Sequence, residues 1–121
     1  MRVFVTKEFA RFARKENLGP AQLCEAVNRA SSGLVDADLG GGVIKQRVAR
    51  QGQGRSGGYR TIIAFRSGDR CIFMYGFAKN RKANLNDDEL VVYRRLAEIL
   101  LDANNAMLGR MLDADELKEV D

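Results

Sequence analysis

The stretch that decides the fold is YRTIIAFRSGDRCIFMYGFAK, residues 59–79. Two runs rich in β-branched and aromatic residues, 59–66 and 70–79, flank the turn-forming triplet Ser67-Gly68-Asp69, which predicts a β-hairpin. Alternation along the second run predicts two faces. One would carry Cys71, Phe73, Tyr75, Phe77 and Lys79, and the other Ile72, Met74, Gly76 and Ala78.

A second hairpin is predicted just before this one. Residues 34–39 suit a short strand, Gly40-Gly41-Gly42 a turn, and residues 43–48 the partner strand. Residues 1–6 alternate in the same way and suit another short strand. We therefore expect a mainly antiparallel sheet of four or five strands.

Helical spacing appears on both sides of these strands. An amphipathic helix is predicted from Thr6 or Lys7 to about Asn17, and a second from Gly19-Pro20 to Ser31-Ser32-Gly33, which together form an N-terminal helical hairpin. After the strands, Asn86 and Glu89 resemble a capping pair at the start of a long helix. A shorter apolar pattern from Met107 to Leu117 predicts one more helical piece. The order predicts an α+β fold with residues 1–121 as a single domain.

Length and composition restrict the class of protein. A chain of 121 residues matches one ordinary domain, and 45% hydrophobic with 30% charged residues is typical of a folded globule. No apolar run approaches the about 18 residues that cross a bilayer, and the first residues lack the apolar stretch of a secretory signal. We therefore expect a cytoplasmic protein.

Cysteine and histidine content argues against a zinc site or a redox role, and we expect no cofactor. Cys24 and Cys71 fall in a predicted helix and strand, and we interpret both as small core residues. The chain has no CxxC spacing and no histidine, so a zinc site is not expected.

Charge is distributed unevenly along the chain. Residues 41–82 hold ten basic side chains against the single acid Asp69, a local charge of +9, whereas residues 83–121 hold four basic against ten acidic side chains, a local −6. A positive field concentrated in one third of a chain favours a polyanionic partner. The alternative is a solvated surface whose arginines pair with the acidic tail.

Three motifs in order carry a resemblance to a known family. They are GGGVIKQRVAR (40–50), GRSGGYR (54–60) and YGFAKN (75–80). In these motifs and in the order of its elements the chain resembles the RelE/HigB branch of bacterial type II toxins. That resemblance implies a microbial RNase-like fold, entry into the ribosomal A site, cleavage of mRNA, inhibition of translation, and silencing by a cognate antitoxin.

The residues present limit how such a chain could cleave RNA. Attack by an internal 2′-hydroxyl requires removal of its proton, stabilisation of charge on the phosphate, and protonation of the leaving 5′ oxygen. Without histidine, lysine, arginine, tyrosine or acidic side chains must do this, which matches the RelE-like use of basic residues and a tyrosine on the sheet. The candidate catalytic residues are Lys45, Arg47, Arg60, Tyr75 and Lys79.

Particular roles follow from residue type. Lys45 and Arg47 are two apart on a strand, so both can converge on one phosphate. Arg60 is assigned to stabilising charge, since an arginine fork holds two phosphate oxygens and keeps its proton. Lys79 is a candidate general acid or base, because neighbouring cations ease the loss of a lysine proton.

Further residues are candidates for RNA binding. Arg50 and Arg55 belong to the glycine-rich segment 50–58, which predicts a mobile basic loop, and Arg66 shares a strand face with Arg60. Phe77 or Tyr75 could stack an unpaired base, although both could instead be core aromatics. Arg81 and Lys82 could contact phosphate or lie in a solvated loop.

Two other functions remain open at the level of sequence. The ParE branch of the same superfamily shares the fold but inhibits DNA gyrase and lacks nuclease activity, so the fold cannot establish cleavage. A nucleic-acid-binding module whose arginines only grip the backbone is the third possibility. Several relatives also carry a histidine or acid for proton transfer, and nothing in this chain fills a histidine role.

Overall fold

The computed structural model describes residues 1–50, 58–79, 81–82 and 84–120. The elements in chain order are β1 (Arg2–Thr6), α1 (Lys7–Lys15), α2 (Pro20–Ser31), β2 (Ala37–Gly40), β3 (Val43–Val48), β4 (Tyr59–Arg66), β5 (Arg70–Ala78), α3 (Asp87–Asp102), α4 (Asn105–Asp113) and β6 (Leu117–Val120). Most of the predicted glycine-rich loop, including Arg55, lies outside the described residues. No helix in the described ranges is both long and apolar enough to cross a membrane.

The strands form one sheet in the order β2-β3-β4-β5-β1-β6. All neighbours are antiparallel except β1 and β5, which are parallel. The α+β class, the two hairpins and the mainly antiparallel sheet are therefore confirmed. The expected count of four or five strands is wrong, because a sixth strand, β6, pairs with β1 at the sheet edge.

Two segments differ from the helix and strand predictions for identifiable reasons. Leu117 continues the apolar spacing of the last helix, but Asp115 takes a positive φ of 59°, so α4 ends and Leu117 enters β6 opposite Thr6. The strand predicted from residue 34 begins at Ala37, because before Ala37 hydrogen bonds that involve side chains take the place of backbone hydrogen bonds between strands. The Asp36 N–H donates to Gln46 Oε1 (2.8 Å), and Asp36 Oδ2 accepts the Arg47 N–H (2.7 Å).

Helices cover both faces of the sheet. We call the two sides the α1 face and the α3 face. On the α1 face, apolar residues of α1 and α2 such as Phe9 and Leu23 pack on Ile44, Ile63 and Phe73. On the α3 face, residues of α3 and α4 pack on Val43, Ile62 and Ile72. The sheet is thus the shared wall of two apolar cores.

A β-bulge in β5 reverses which residues face which core. Ile62 pairs with Tyr75 and the next residue, Ile63, pairs with Phe73, so Met74 is an extra residue in β5. Cys71 and Phe73 belong to the α1 face, but Tyr75 and Phe77 belong to the α3 face with Ile72 and Met74. The prediction that Tyr75 and Phe77 share a face with Cys71 and Phe73 is therefore wrong.

Thr6 links this bulge to the start of α1. Its hydroxyl donates to the Met74 carbonyl (3.1 Å) and accepts the Phe9 N–H (3.1 Å), which makes Thr6 the N-cap of α1. One side chain therefore satisfies a carbonyl at the bulge and an N–H of the helix that begins where β1 ends.

Gly76 follows the bulge and lies against α1. A Cβ atom on Gly76 would stand 2.4 Å from Phe12 Cε2, far inside van der Waals contact. The Phe12 ring in turn packs edge-on against Tyr59, with centroids 5.3 Å apart. The absence of a side chain at Gly76 is what allows α1 to pack this close to β5.

Two arginines from the sheet hold the C-terminal end of α3. Arg66 donates to the Leu101 carbonyl (2.8 Å), and Arg70 donates to the carbonyls of Leu100 (3.0 Å) and Ala103 (2.7 Å). The last turn of α3 contains no basic residue of its own, so these cations complement the negative end of the helix from the sheet.

We predict opposite effects for two glycine substitutions. Gly76→Ala should lower the free energy of unfolding by about 1–3 kcal/mol, because Phe12 must move to admit the methyl group. Gly109→Ala is the matched control: it lies within α4, and a Cβ atom there would meet open space, so alanine should raise the free energy of unfolding by about 0.5–1 kcal/mol. Urea denaturation measures both, and equal effects would contradict the packing described.

Candidate functional site

The strand register places five of the predicted catalytic and RNA-binding residues side by side on the α3 face. Arg47 pairs with Arg60, and Arg60 pairs with Phe77. One row further along, Lys45 pairs with Ile62, and Ile62 pairs with Tyr75. Neighbouring strands lie about 4.8 Å apart, and directly opposite residues point to the same face. We call these two lines of side chains the cross-strand rows.

Arg60 stands at the centre of the first row. Its Nη1 atom is buried and has no hydrogen-bond partner among the described residues. Arg47 lies directly opposite and carries the same charge, which is unfavourable in a sheet. Arg47 has a partial counter-charge in Asp36, with Nε and Oδ1 3.7 Å apart. The described residues therefore leave an arginine nitrogen without an acceptor where two cations meet.

Lys45 extends this cationic surface toward the start of α3. Its Nζ donates to Asn84 Oδ1 at 3.4 Å, which is a weak contact with a neutral group. Asn84 belongs to the segment that connects β5 to α3. This segment therefore reaches back over the second row and supplies a polar partner to its lysine.

Aromatic rings line the β5 end of the cross-strand rows. Tyr75 lies between Phe77, at a centroid distance of 5.8 Å, and Tyr93 of α3, which stacks on it at 5.5 Å and 20°. Lys82 Nζ lies 5.9 Å from the centre of the Tyr75 ring. Tyr75 is half-buried, whereas Phe77 is only 5% exposed and has little surface available to a base.

Tyr93 also connects α3 to α1. Its hydroxyl donates to Glu8 Oε1 at 3.0 Å. Burial raises the pKa of Tyr93, and the nearby Glu8 carboxylate raises it further. Tyr93 therefore stays a neutral hydrogen-bond donor at physiological pH, and it fixes the ring on which Tyr75 stacks.

Lys82 and Glu89 form an ion pair at the rim of the site. Lys82 Nζ lies 2.5 Å from both carboxylate oxygens of Glu89. Glu89 also completes a capping box: its Oε1 accepts the Asn86 N–H (3.0 Å), and its own N–H donates to Asn86 Oδ1 (2.8 Å). The Asn86 N–H, and next Lys82, lower the pKa of Glu89, while Glu89 raises the pKa of Lys82. Lys82 is thus held as a permanent cation.

Arg50 and Arg66 lie away from the cross-strand rows. Arg50 donates from Nε to the Tyr59 hydroxyl (2.9 Å) and lies 3.8 Å from Glu16, on the side of α1. Burial raises the pKa of that Tyr59 hydroxyl, and the nearby Glu16 carboxylate raises it further. Arg66 is six residues from Arg60, about 20 Å along β4, and pairs with Asp102 at 2.9 Å.

The remaining predicted residues follow β5. Lys79 and Arg81 are exposed, just beyond Phe77, and Arg55 lies outside the described residues. The sequence reasoning did not assign Asn84, Glu89 or Tyr93 to the site. The capping pattern indicated Asn86 and Glu89 as helix-starting residues, and helical spacing indicated Tyr93 as core, but no pattern indicated that they would meet Tyr75 and Lys82.

Fold and site together define a small basic α+β protein with an open cationic sheet face beside a cluster of aromatic rings. A family model described as the RelE toxin of the RelE/RelB toxin–antitoxin system matches residues 1–120, and the chain belongs to this toxin family. The resemblance to the RelE toxins and the RelE-like fold predicted from it are thereby confirmed, and membership implies a RelB-type antitoxin as partner. A search of curated proteins found no significant match.

We predict that replacing Lys82 reverses only part of the lowering of the Glu89 pKa. In Lys82→Met, the pKa of Glu89 should rise toward its ordinary value of about 4.5 yet stay below it, because the Asn86 N–H still donates. Carbon-detected NMR titration of the carboxyl group measures this. Lys118→Met, on the distant strand β6, is the control and should leave the Glu89 pKa unchanged.

The same pair predicts the sign of a stability effect. Because the folded-state pKa of Glu89 is lowered, its contribution to stability is present above about pH 4.5 and is lost as the pH falls through the folded-state pKa. Lys82→Met should therefore lose less stability on acidification than wild type. Thermal unfolding across this pH range measures the difference, and parallel curves would contradict the ion pair.

Proposed function

We propose that this toxin is a ribosome-dependent endoribonuclease that cleaves mRNA and inhibits translation without metal or cofactor. The observation that carries the proposal is Arg60, whose buried Nη1 has no acceptor among the described residues and whose cross-strand neighbour is a second arginine. A buried donor without a partner is costly, and like charges side by side add to the cost. An RNA phosphate bound beside Arg47 and Arg60 would offset the repulsion between them and give the Arg60 guanidinium an acceptor.

In this proposal the cations of the cross-strand rows stabilise the reacting phosphate. Arg60 donates to the non-bridging oxygens on which negative charge grows, and Arg47 and Lys45 contribute from the same face. Arginine keeps its proton throughout, so Arg60 acts by charge and hydrogen bonding alone. Asn84 gives up its weak contact with Lys45 when phosphate arrives.

The proton transfers are assigned to Tyr75 and Lys79. The 2′ oxygen bonds to phosphorus as its proton leaves, the bond from phosphorus to the 5′ oxygen breaks, and that oxygen receives a proton. The products are a 2′,3′-cyclic phosphate and a 5′-hydroxyl. Lys82 is excluded from these transfers because Glu89 raises its pKa and holds it as a cation. Tyr75 lies near the end of β5 and Lys79 directly follows the strand, and both side chains carry a proton that they can exchange.

RNA recognition is assigned to the rim of the same face. Tyr75 is more exposed than Phe77, so it is the better platform for an unpaired base. Arg81 is exposed and Lys82 lies over the Tyr75 ring, so we assign both to the adjoining phosphates. Arg50 and Arg66 already bind Tyr59 and Asp102, and we place them outside the reacting centre. The ribosome would hold the mRNA strand against this open surface, supplying the orientation that a shallow site lacks.

The proposal is tested with Arg60→Met on translating ribosomes. Loss of a single charge-stabilising donor should slow mRNA cleavage by about 10²–10³-fold. Because methionine has no unsatisfied donor and no charge to repel Arg47, thermal stability should stay equal to that of wild type or rise. Primer extension on a reporter mRNA measures cleavage, and Arg110→Gln, on an exposed position of α4, is the control that should cleave normally.

Other outcomes of this experiment identify the alternatives. If mRNA stays intact and supercoiling by gyrase is blocked, the protein has a ParE-like activity and is not a nuclease. If mRNA stays intact and Arg60→Met binds RNA more weakly than wild type, the protein binds nucleic acid without cleaving it. Cleavage that continues unchanged in Arg60→Met would remove Arg60 from the site.

A further inference from the structure

The outer face of α3 carries exposed apolar side chains. Val91 is 50% exposed, Val92 59% and Ile99 53%, and these three are half of the six large hydrophobic side chains that are exposed in the described ranges. The opposite side of α3 is anchored on the sheet by buried residues such as Ala97 and Leu100. The three exposed side chains therefore play no part in holding α3 on the sheet.

Two successive valines are unfavourable in the exposed middle of a helix. Valine loses side-chain freedom there, and lysine, arginine or glutamate would stabilise the helix more. Val91 and Val92 bury too little apolar area within the described structure to offset this cost. An exposed apolar patch on a rigid element is typical of a surface that another protein covers.

Two opposite charges flank the valines symmetrically. Asp88 lies one turn before them and Arg95 one turn after them, and this spacing places all four residues on one face of the helix. Both charged side chains are exposed, and neither forms an ion pair within the described ranges. Asp102, further along α3, is already paired with Arg66. Along the helix axis this part of the face is therefore negative, then apolar, then positive.

We infer that the outer face of α3 is a docking surface for a second copy of this chain, which packs on it antiparallel about a twofold axis. The axis passes between Val91 and Val92, midway between Asp88 and Arg95. Asp88 of each copy then meets Arg95 of the other, and the four valines form the centre of the contact. Asp88 and Arg95 are about 10 Å apart along the helix axis, so both ion pairs form together when the helices lie about 8–10 Å apart.

A second copy fits this surface better than other partners do. Apolar side chains and a carboxylate offer nothing to the phosphates of RNA. A protein of different sequence could cover the valines, but only an antiparallel copy of the same helix requires Asp88 and Arg95 at equal distances on either side of them. The inference does not rest on the proposed function, because α3 contributes to the proposed RNA site through another side, which carries Tyr93 and Glu89.

The contact is small, so the dimer should be weak. An interface of standard size buries about 800 Å² on each partner, and the outer face of one helix offers less than this. We therefore expect the purified full chain to associate with a Kd of about 1–100 µM, and sedimentation velocity over a series of concentrations measures this.

The ion pairs are tested by exchanging their charges. Arg95→Glu alone places two carboxylates opposite each other at both ends of the contact, and Asp88→Arg alone places two cations there. Each single variant should raise the Kd at least about tenfold, because like charges meet in the interface. The double variant Asp88→Arg with Arg95→Glu keeps the net charge of wild type and forms both pairs again, so its Kd should return to within about threefold of wild type.

The apolar part is tested with Val92→Glu. Burying a carboxylate at the centre of the contact should raise the Kd at least about tenfold. Leu34→Glu is the matched control, because Leu34 is 63% exposed and follows α2, which packs on the other face of the sheet. This control should associate like wild type. Thermal unfolding first establishes that every variant is folded.

Three results would overturn the inference. The first is a wild-type protein that stays monomeric at about 500 µM, well above the expected Kd. The second is a dimer whose Kd none of the α3 substitutions changes. The third is a double variant that associates no better than the single charge variants. If wild type stays monomeric and Val92→Glu loses binding of the cognate antitoxin, the antitoxin is the partner that covers this face.

Discussion

The extra residue at Met74 is the constraint on which the arrangement of the site depends. Without this bulge, Tyr75 and Phe77 would continue the alternation of Cys71 and Phe73 and would point into the α1 face. With it, both rings turn to the α3 face, in line with Arg60 and Lys45. The hydroxyl of Thr6 satisfies the Met74 carbonyl and begins α1 with the same atom, so the bulge and the helix are fixed together.

The arrangement of charges in the site is unfavourable for the stability of the protein on its own. Arg47 and Arg60 repel one another across a pair of strands, and one nitrogen of Arg60 stays without an acceptor in the described structure. Nearby, Asn84 contacts Lys45 and Glu89 contacts Lys82. Asn84 lies in the segment leading into α3, and Glu89 lies in the first turn of that helix. An arginine nitrogen without an acceptor beside a second arginine is unfavourable for stability, and natural proteins depart from local rules in this way mainly at functional sites.

Much of the fold was readable from the sequence because its elements obey local rules. Both hairpins have glycine-containing turns between strongly alternating or β-branched runs, and α2 begins at proline, so all of these elements were predicted, with the start of β2 as the boundary that differs. The pairing of Lys45 and Arg47 on one face followed from the spacing of two residues. Local patterns could not predict β6, because Leu117 keeps the apolar spacing of α4 and only the turn at Asp115 ends the helix.

The parts of the site that the sequence did not predict depend on long-range register. A bulge needs one extra residue in a run that otherwise alternates, and nothing in IFMYGF shows which residue is extra. The stack of Tyr93 on Tyr75 and the hydrogen bond from Tyr93 to Glu8 join residues far apart in the chain. Such contacts follow from how helices dock on the sheet, whereas the helical spacing of Tyr93 indicates only that it faces inward.

The position of β1 within the sheet also determines when the molecule can be completed. This strand, the first in the chain, lies between β5 and β6, and its pairing with β6 reaches Val120. Synthesis proceeds from the N-terminus, so β1 has no second neighbour until residues 117–120 have been synthesised. The edge beside β1, including the hydrogen bond from the Lys7 N–H to the Glu116 carbonyl at the start of α1, therefore forms only after these residues have left the ribosome.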